Sequence, residues 1–187
     1  MQKSLFELRT WIFLALLAAL GAVFSAFLSI ELAPAGMKTI EISLTPVPVM
    51  LAGMLFGPIA GGLVGFVADT AGFFMGVQHG AYNPLFSVTM ALFGIIAGLF
   101  YLKSKQNNIW KTTGAVTAAQ VVCSVILNTM LIWLFYGEYI GVSFGALIGT
   151  RAIGALIELP LYAWILMMLA AALKPLLSQG RRKPAAT

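Results

Sequence analysis

The stretch ISLTPVPVMLAGMLFGPIAGGLVGFVADTAGFFMGVQHGAYNP, residues 42–84, decides the fold. Asp69 is its one formally charged residue. A helix needs about 20 apolar residues to cross the hydrocarbon core of a bilayer. The uncharged runs from 42 to 102 are too long for two such helices and suit three, so the breaks must lie inside them. Gly57-Pro58 is one break, because proline lacks an amide donor and fits the first turn of a new helix. Gln78-His79-Gly80-Ala81-Tyr82-Asn83-Pro84 is the other, a polar stretch closed by Asn-Pro.

Outward from this centre the same pattern continues. Residues 11–30 and 112–137 carry no charge, Lys103–Lys111 reads as a polar loop, and only Arg151 and Glu158 interrupt 139–173. Tyr136-Gly137-Glu138-Tyr139 reads as a turn with an aromatic belt. These signals predict six helices near 10–30, 42–56, 58–77, 84–102, 112–135 and 144–173. The second is short and contains Pro46 and Pro48. It is expected to cross at a tilt or to begin as irregular backbone covered by protein or a water-filled cavity.

Composition agrees. Of 187 residues, 60% are hydrophobic and 9% charged, against about 25% charged in soluble domains. Mean hydropathy is +0.97. A soluble globule, a disordered chain and a disulfide scaffold are excluded. Cys123 has no second cysteine to pair with, and His79 alone cannot build a His-rich metal site, so no metal is expected. The expected fold is an all-α integral membrane protein: one six-transmembrane-helix domain over 1–187, with a short basic tail at about 174–187. Lys3, Arg9, the apolar run and Ala33-Pro34-Ala35 resemble a signal peptide, but a run of 20 exceeds the usual ~7–15 residues, so no cleavage is expected.

With six spans both termini share one side. That side holds Lys3, Arg9, Lys103, Lys105, Lys111, Lys174, Arg181, Arg182 and Lys183, nine basic residues against Lys38 and Arg151 elsewhere. Basic residues favour the cytoplasmic side, so both termini are expected there. The net charge of +5 is a topology signal rather than a nucleic-acid footprint.

No P-loop, G-x-S-x-G or H-E-x-x-H motif is present, so no enzyme is expected. Ionisable residues within spans are candidates for function. Asp69 lies along the third helix, while Arg151 and Glu158 lie two turns apart on one face of the last. An internal Arg–carboxylate bond and ligand binding are both open for them. Asn128 and Trp133 are softer candidates in the fifth helix. The 78–84 loop gathers His79, Tyr82 and Asn83, where a planar ligand has a ring to stack on and amides to read its edge. Lys38 joins them on the outer side. In the first helix Ala15, Ala18, Ala19, Ala22 and Ala26 form a small-residue stripe, suited to packing within the chain or to docking a second protein.

The chain resembles the substrate-binding S-components of energy-coupling factor (ECF) vitamin transporters over residues ~10–173. The resemblance rests on Ala15–Ile30, on Ile42–Pro48, on Leu51-Ala52-Gly53-Met54-Leu55-Phe56-Gly57-Pro58, on Gly65–Asp69, on Tyr82–Thr89, and on Asn128-Thr129, Tyr136-Gly137, Arg151 and Leu159-Pro160. Within that family it is most similar to the folate S-components. Those commonly carry arginine in the first helix, at or near the positions of Gly21 and Ala26, and neither arginine is present. The resemblance therefore implies a basic partner from Lys38 or Arg151, or a ligand other than folate.

It further implies a multi-pass protein of a prokaryotic plasma membrane, without a cofactor of its own. Such a protein binds a vitamin from outside with Lys38, His79, Tyr82, Asn83, Asn128, Trp133, Arg151 and Glu158 as candidate contacts. It docks through Ala15, Ala19 and Ala22 onto a transmembrane coupling subunit driven by two cytoplasmic ATPases. The alternatives are an S-component for thiamin, riboflavin or pantothenate, and a self-sufficient secondary transporter.

Overall fold

A computed structural model describes residues 8–32, 40–76, 82–102, 109–140 and 143–179. Helix α1 runs Leu8–Phe27 and is followed by a hairpin of two short antiparallel strands, β1 (Ser29–Leu32) and β2 (Ile40–Ser43). Ser29 faces Ser43 and Leu32 faces Ile40 in its register. The hairpin corrects the expectation that the first helix reaches residue 30. Absence of charge does not distinguish helix from strand, whereas the alternation in Ile30-Glu31-Leu32 and Ile40-Glu41-Ile42 is the strand signature.

Helices α2 (Pro46–Phe56) and α3 (Pro58–Met75) both begin with proline, and Gly57 between them has φ 104°. That backbone conformation is open to glycine and strained for other residues. At 1.5 Å per residue the 11 residues of α2 span about 16 Å, roughly half a hydrocarbon core. Residues 46–54 are all buried. Residues 40–43 form the regular strand β2 and α2 begins only at Pro46, which corrects the helix start expected at 42.

Helix α4 covers Pro84–Leu102, and α2, α3 and α4 pack through glycine. A methyl group at Gly61 would stand 2.6 Å from the carbonyl oxygen of Gly94, and one at Gly98 would stand 2.5 Å from Pro58 Cα. In lipid, where apolar burial gives helices no drive to associate, this close approach of backbones supplies the contact energy. Helix α1 lies against α3 in the same way, since a methyl at Gly72 would stand 2.5 Å from Ser25 Cβ.

The fifth apolar stretch is one long helix in three parts: α5 (Ile109–Ala119), a π-helical segment (Gln120–Asn128) and α6 (Thr129–Ile140). Its continuation to Ile140 corrects the turn expected at Tyr136–Tyr139. Helix α7 (Phe144–Gln179) completes the fold. By length and composition α1, α3, α4, α5–α6 and α7 can cross a membrane, and α2 is a shorter apolar helix. The chain is thus a helical membrane bundle with one small hairpin.

Candidate functional site

Along α7 one line of buried residues runs Leu147, Arg151, Ala155, Glu158, Tyr162, Leu166 and Ala170, with Gly154 and Ala163 buried beside it. Their three- and four-residue spacing makes one inward stripe. Arg151 and Glu158 therefore stand in the core, at 9% and 5% exposure.

Glu158 closes a polar knot. Its Oε1 accepts from the Ser43 backbone N–H at 3.2 Å, and its Oε2 accepts from Gln120 Nε2 at 2.8 Å. The Tyr162 hydroxyl donates to the Ser43 carbonyl oxygen, and the Ser43 hydroxyl bonds that of Thr45 at 2.8 Å. Strand β2 is thereby fastened to α7 and to the π-helical segment. The buried carboxyl group thus has hydrogen-bond partners, as a buried polar group must.

Among the described residues four other buried side-chain polar atoms have no hydrogen-bond partner: Gln120 Oε1, Asn128 Oδ1, Thr129 Oγ1 and Arg151 Nε. Each such orphan costs about 1–3 kcal/mol, more when charged. Three of the four belong to the π-helical segment or the residue after it. Wide helical turns of this kind recur at functional sites, and sites rather than scaffolds retain unpaired groups.

Two contacts set the register between the long fifth helix and α7. Gln120 bonds Glu158, and the Trp133 ring packs on Phe144 at 5.6 Å between centroids and 65° between planes. The contacts lie 13 residues apart on one helix and 14 on the other, as in antiparallel neighbours. Arg151 is midway between Phe144 and Glu158 on α7, about 10 Å along the axis from each. Interpolation between the two contacts puts it level with the last turn of the π-helical segment, which ends at Asn128. The seam thus has three tiers: an aromatic pair, a basic and amide tier, and the Gln120–Glu158 tier beside β2.

The 82–84 region forms a separate cluster. Ser87 Oγ donates to Asp69 Oδ2 at 2.7 Å, and the Tyr82 hydroxyl lies 2.9 Å from Thr70 Oγ1 and 3.0 Å from Ser87 Oγ. The Tyr82 ring packs 5.1 Å from Phe73 and 5.4 Å from Phe74. Asn83 Oδ1 accepts from the Leu85 N–H at 3.1 Å, capping α4. The ring and amide expected to meet a ligand thus have partners within the chain that join α3 to α4. Lys38 and His79 lie outside the described residues.

The alanine stripe of α1 divides. Ala15 and Ala19 are exposed, whereas Ala18 and Ala22 are buried at 9% and 2%. Ala22 therefore belongs to internal packing against α3, which corrects its assignment to a docking face. An open groove of about 600 Å³ between α5 and α7 is lined by Thr113, Leu159, Pro160, Trp164 and Met167, among others. It has no charged wall and does not coincide with the orphaned polar atoms.

Neutral Gln120, Thr129, Ser43 and Tyr162 escape a search that looks for charge. The available signal was an amide, Gln120, alone inside the apolar run Ala115–Leu127 apart from hydroxyl-bearing Thr117 and Ser124.

The sequence matches the family described as "ECF transporter, substrate-specific component" over residues 9–173. It is 28% identical over 160 residues to the folate transporter FolT of Clostridium novyi (strain NT), covering 86% of this chain and 87% of that protein. It is 26% identical over 168 residues to the folate transporter FolT of Leuconostoc mesenteroides subsp. mesenteroides, covering 84% and 87%. The fold is similar to a crystal structure of FolT bound with folic acid, with TM-score 0.75, 28% identity, and 90% and 96% of the two chains covered.

Proposed function

The chain belongs to the substrate-specific component family of ECF transporters, and from that premise we propose that it binds folate, or a vitamin closely similar to it, for uptake. Membership makes it a membrane transport protein and not an enzyme. The observation that carries the choice of folate is the likeness, at 28% identity and TM-score 0.75, to FolT holding folic acid.

The proposed site is the seam between the fifth helix and α7. Arg151 meets an anionic or acceptor group of the ligand, which replaces the arginines absent at Gly21 and Ala26. Asn128 supplies a carbonyl acceptor, Trp133 an aromatic surface, and Glu158 holds the wall together with Gln120 and β2. Lys38 and His79 close the outer side, while Tyr82 and Asn83 fix the start of α4 behind it. The orphaned atoms support this reading, because a ligand is the partner they lack.

Six helices form the single domain, α2 being tilted or short within it, with both termini cytoplasmic by the nine-to-two distribution of basic residues. Exposed Ala15 and Ala19 dock on a transmembrane coupling subunit. Two cytoplasmic ATPases hydrolyse ATP, and this chain carries no cofactor. Titration of the detergent-purified chain with folate, and separately with thiamin, riboflavin and pantothenate, tests the ligand. Saturable binding confined to folate is expected. Binding of another of these vitamins with none of folate overturns the assignment.

A further inference from the structure

The groove between α5 and α7 stands apart from the polar tiers of the seam, and its lining changes along its length. It opens where the fifth span begins at Ile109 and the last one ends at Ala172. Counted outward from the Gln120–Glu158 bond, Ile109 comes level with Met168 and Leu169, and Thr113 with Trp164 and Ile165. Ile109, Met168 and Ala171 therefore line the mouth, and Thr113 and Trp164 line a level about 6 Å further in. Leu159, Pro160 and Ala163 line the depth. The Thr113 hydroxyl and the Trp164 indole N–H are the only side-chain hydrogen-bond donors of the lining among the described residues, and both belong to that second level. Just past the mouth the chain turns basic. The next turn of α7 after Ala171 brings Lys174, Lys111 holds its Nζ 4.5 Å over the Tyr101 ring, and no Asp or Glu occurs in 99–115 or 165–187. Exposed Trp110 marks the same level, as interfacial tryptophans do. From Ala171 to Leu159 the groove runs about 18 Å, close to the roughly 20 Å depth of one leaflet with its headgroups.

We propose that this groove binds an anionic glycerophospholipid of the cytoplasmic leaflet, with the phosphate at Lys174, the ester groups at Thr113 and Trp164, and one acyl chain along Ala163 and Leu159. Cation, donor and hydrocarbon follow one another along the groove in the order in which phosphate, ester and chain follow one another in such a lipid. Basic residues just cytoplasmic of a span attract anionic headgroups. Pro160, Ala163 and Ala171 are short beside Trp164 and Met168, so a single chain is held from two sides and gains dispersion contacts that a flat face does not give. A zwitterionic lipid fits the apolar depth equally well but gains nothing at the basic end. A partner's helix would meet an apolar wall along most of the groove, and nothing in it calls for a cation just past one mouth. Such a lipid site uses none of the residues assigned to the vitamin. It rests only on placement in the bilayer with Lys111 and Lys174 at the cytoplasmic surface.

The test reconstitutes the full chain into phosphatidylcholine vesicles containing a rising share of lipid brominated on its acyl chains, either phosphatidylglycerol or phosphatidylcholine. Bromine quenches tryptophan fluorescence on contact, and the difference between the parent and Trp164→Phe isolates the signal of Trp164. Half-maximal quenching of Trp164 is expected at about a fivefold lower share of the phosphatidylglycerol than of the phosphatidylcholine. Lys174→Gln should bring the two lipids within about twofold of each other. Ala171→Phe fills the mouth of the groove while keeping every charge, and it is expected to do the same. If Ala171→Phe is not recovered folded, Ala171→Leu serves in its place. Equal quenching by the two lipids in the parent overturns the site, as does a preference unchanged in Lys174→Gln. A preference that persists in the Ala171 variant belongs to diffuse attraction by the basic surface, and overturns the groove as its source.

Discussion

Replacing Glu158 by glutamine or by leucine tests what fastens strand β2 to α7. In the parent, Glu158 accepts two hydrogen bonds, from Ser43 N–H at 3.2 Å and from Gln120 Nε2 at 2.8 Å. Glu158→Gln keeps the shape and turns one acceptor oxygen into a donor. The conflict with Gln120 is relieved if the Gln120 amide flips, because its Oε1 has no other partner and accepts from the new NH2. The Ser43 bond survives. Both hydrogen bonds then keep a partner, so little hydrogen bonding is lost. The expected net change in stability is within about 1 kcal/mol.

Glu158→Leu removes the acceptor of the Ser43 N–H and of the Gln120 NH2, at about 1–3 kcal/mol each, so a loss of about 2–6 kcal/mol is expected. Thermal denaturation of the detergent-purified variants reads the difference. Hydrogen exchange over 40–50 reads its location, with the Ser43 amide losing protection in Glu158→Leu and keeping it in Glu158→Gln. Equal stability of the two variants would refute the claim that these bonds fasten β2.

Two further outcomes follow from other parts of the bundle. Ala19→Trp, on the exposed side of α1, should abolish uptake in cells that carry the transporter while leaving ligand titration of the purified protein unchanged, whereas Ala22→Trp, at 2% exposure, should lower the denaturation temperature; loss of binding in Ala19→Trp would return that residue to internal packing. Cysteines at Gly80 and Gln106 should label from opposite sides of intact cells, Gly80 from outside, with native Cys123 silent because it is buried; labelling of both from outside would overturn the assigned topology.

The apolar stretches were legible because lipid imposes their length and Gly57-Pro58 and Asn83-Pro84 impose their starts. The hairpin was not, although its alternation stands in the sequence, because the uncharged run before it was read as continuous helix. The helix through Tyr136-Gly137 was missed for the converse reason: glycine and aromatics mark turns in water, while in a membrane helix backbone hydrogen bonds outweigh them. Arg151, Glu158 and Asn128 were identifiable by polarity alone. Their partners were not, since Ser43 and Glu158 are 115 residues apart and no local pattern encodes such a contact. The small residues of α1 were correctly seen as a stripe. Its division into exposed Ala15 and Ala19 and buried Ala18 and Ala22 depends on where α3 lies.

The same contacts explain why the site is built where it is. The buried stripe of α7 normally carries apolar side chains, as at Leu147, Ala155, Leu166 and Ala170. Placing Arg151 and Glu158 there sacrifices packing that lipid cannot replace. Glu158 regains it through Ser43 and Gln120, so its cost is met by holding the hairpin in place. Arg151 Nε has no hydrogen-bond partner among the described residues. Two ionisable residues on one face of one helix thus differ in kind: Glu158 is paired with Ser43 and Gln120, whereas Arg151 keeps a buried donor without a partner there, and that difference is what supports Arg151 rather than Glu158 as the proposed ligand contact.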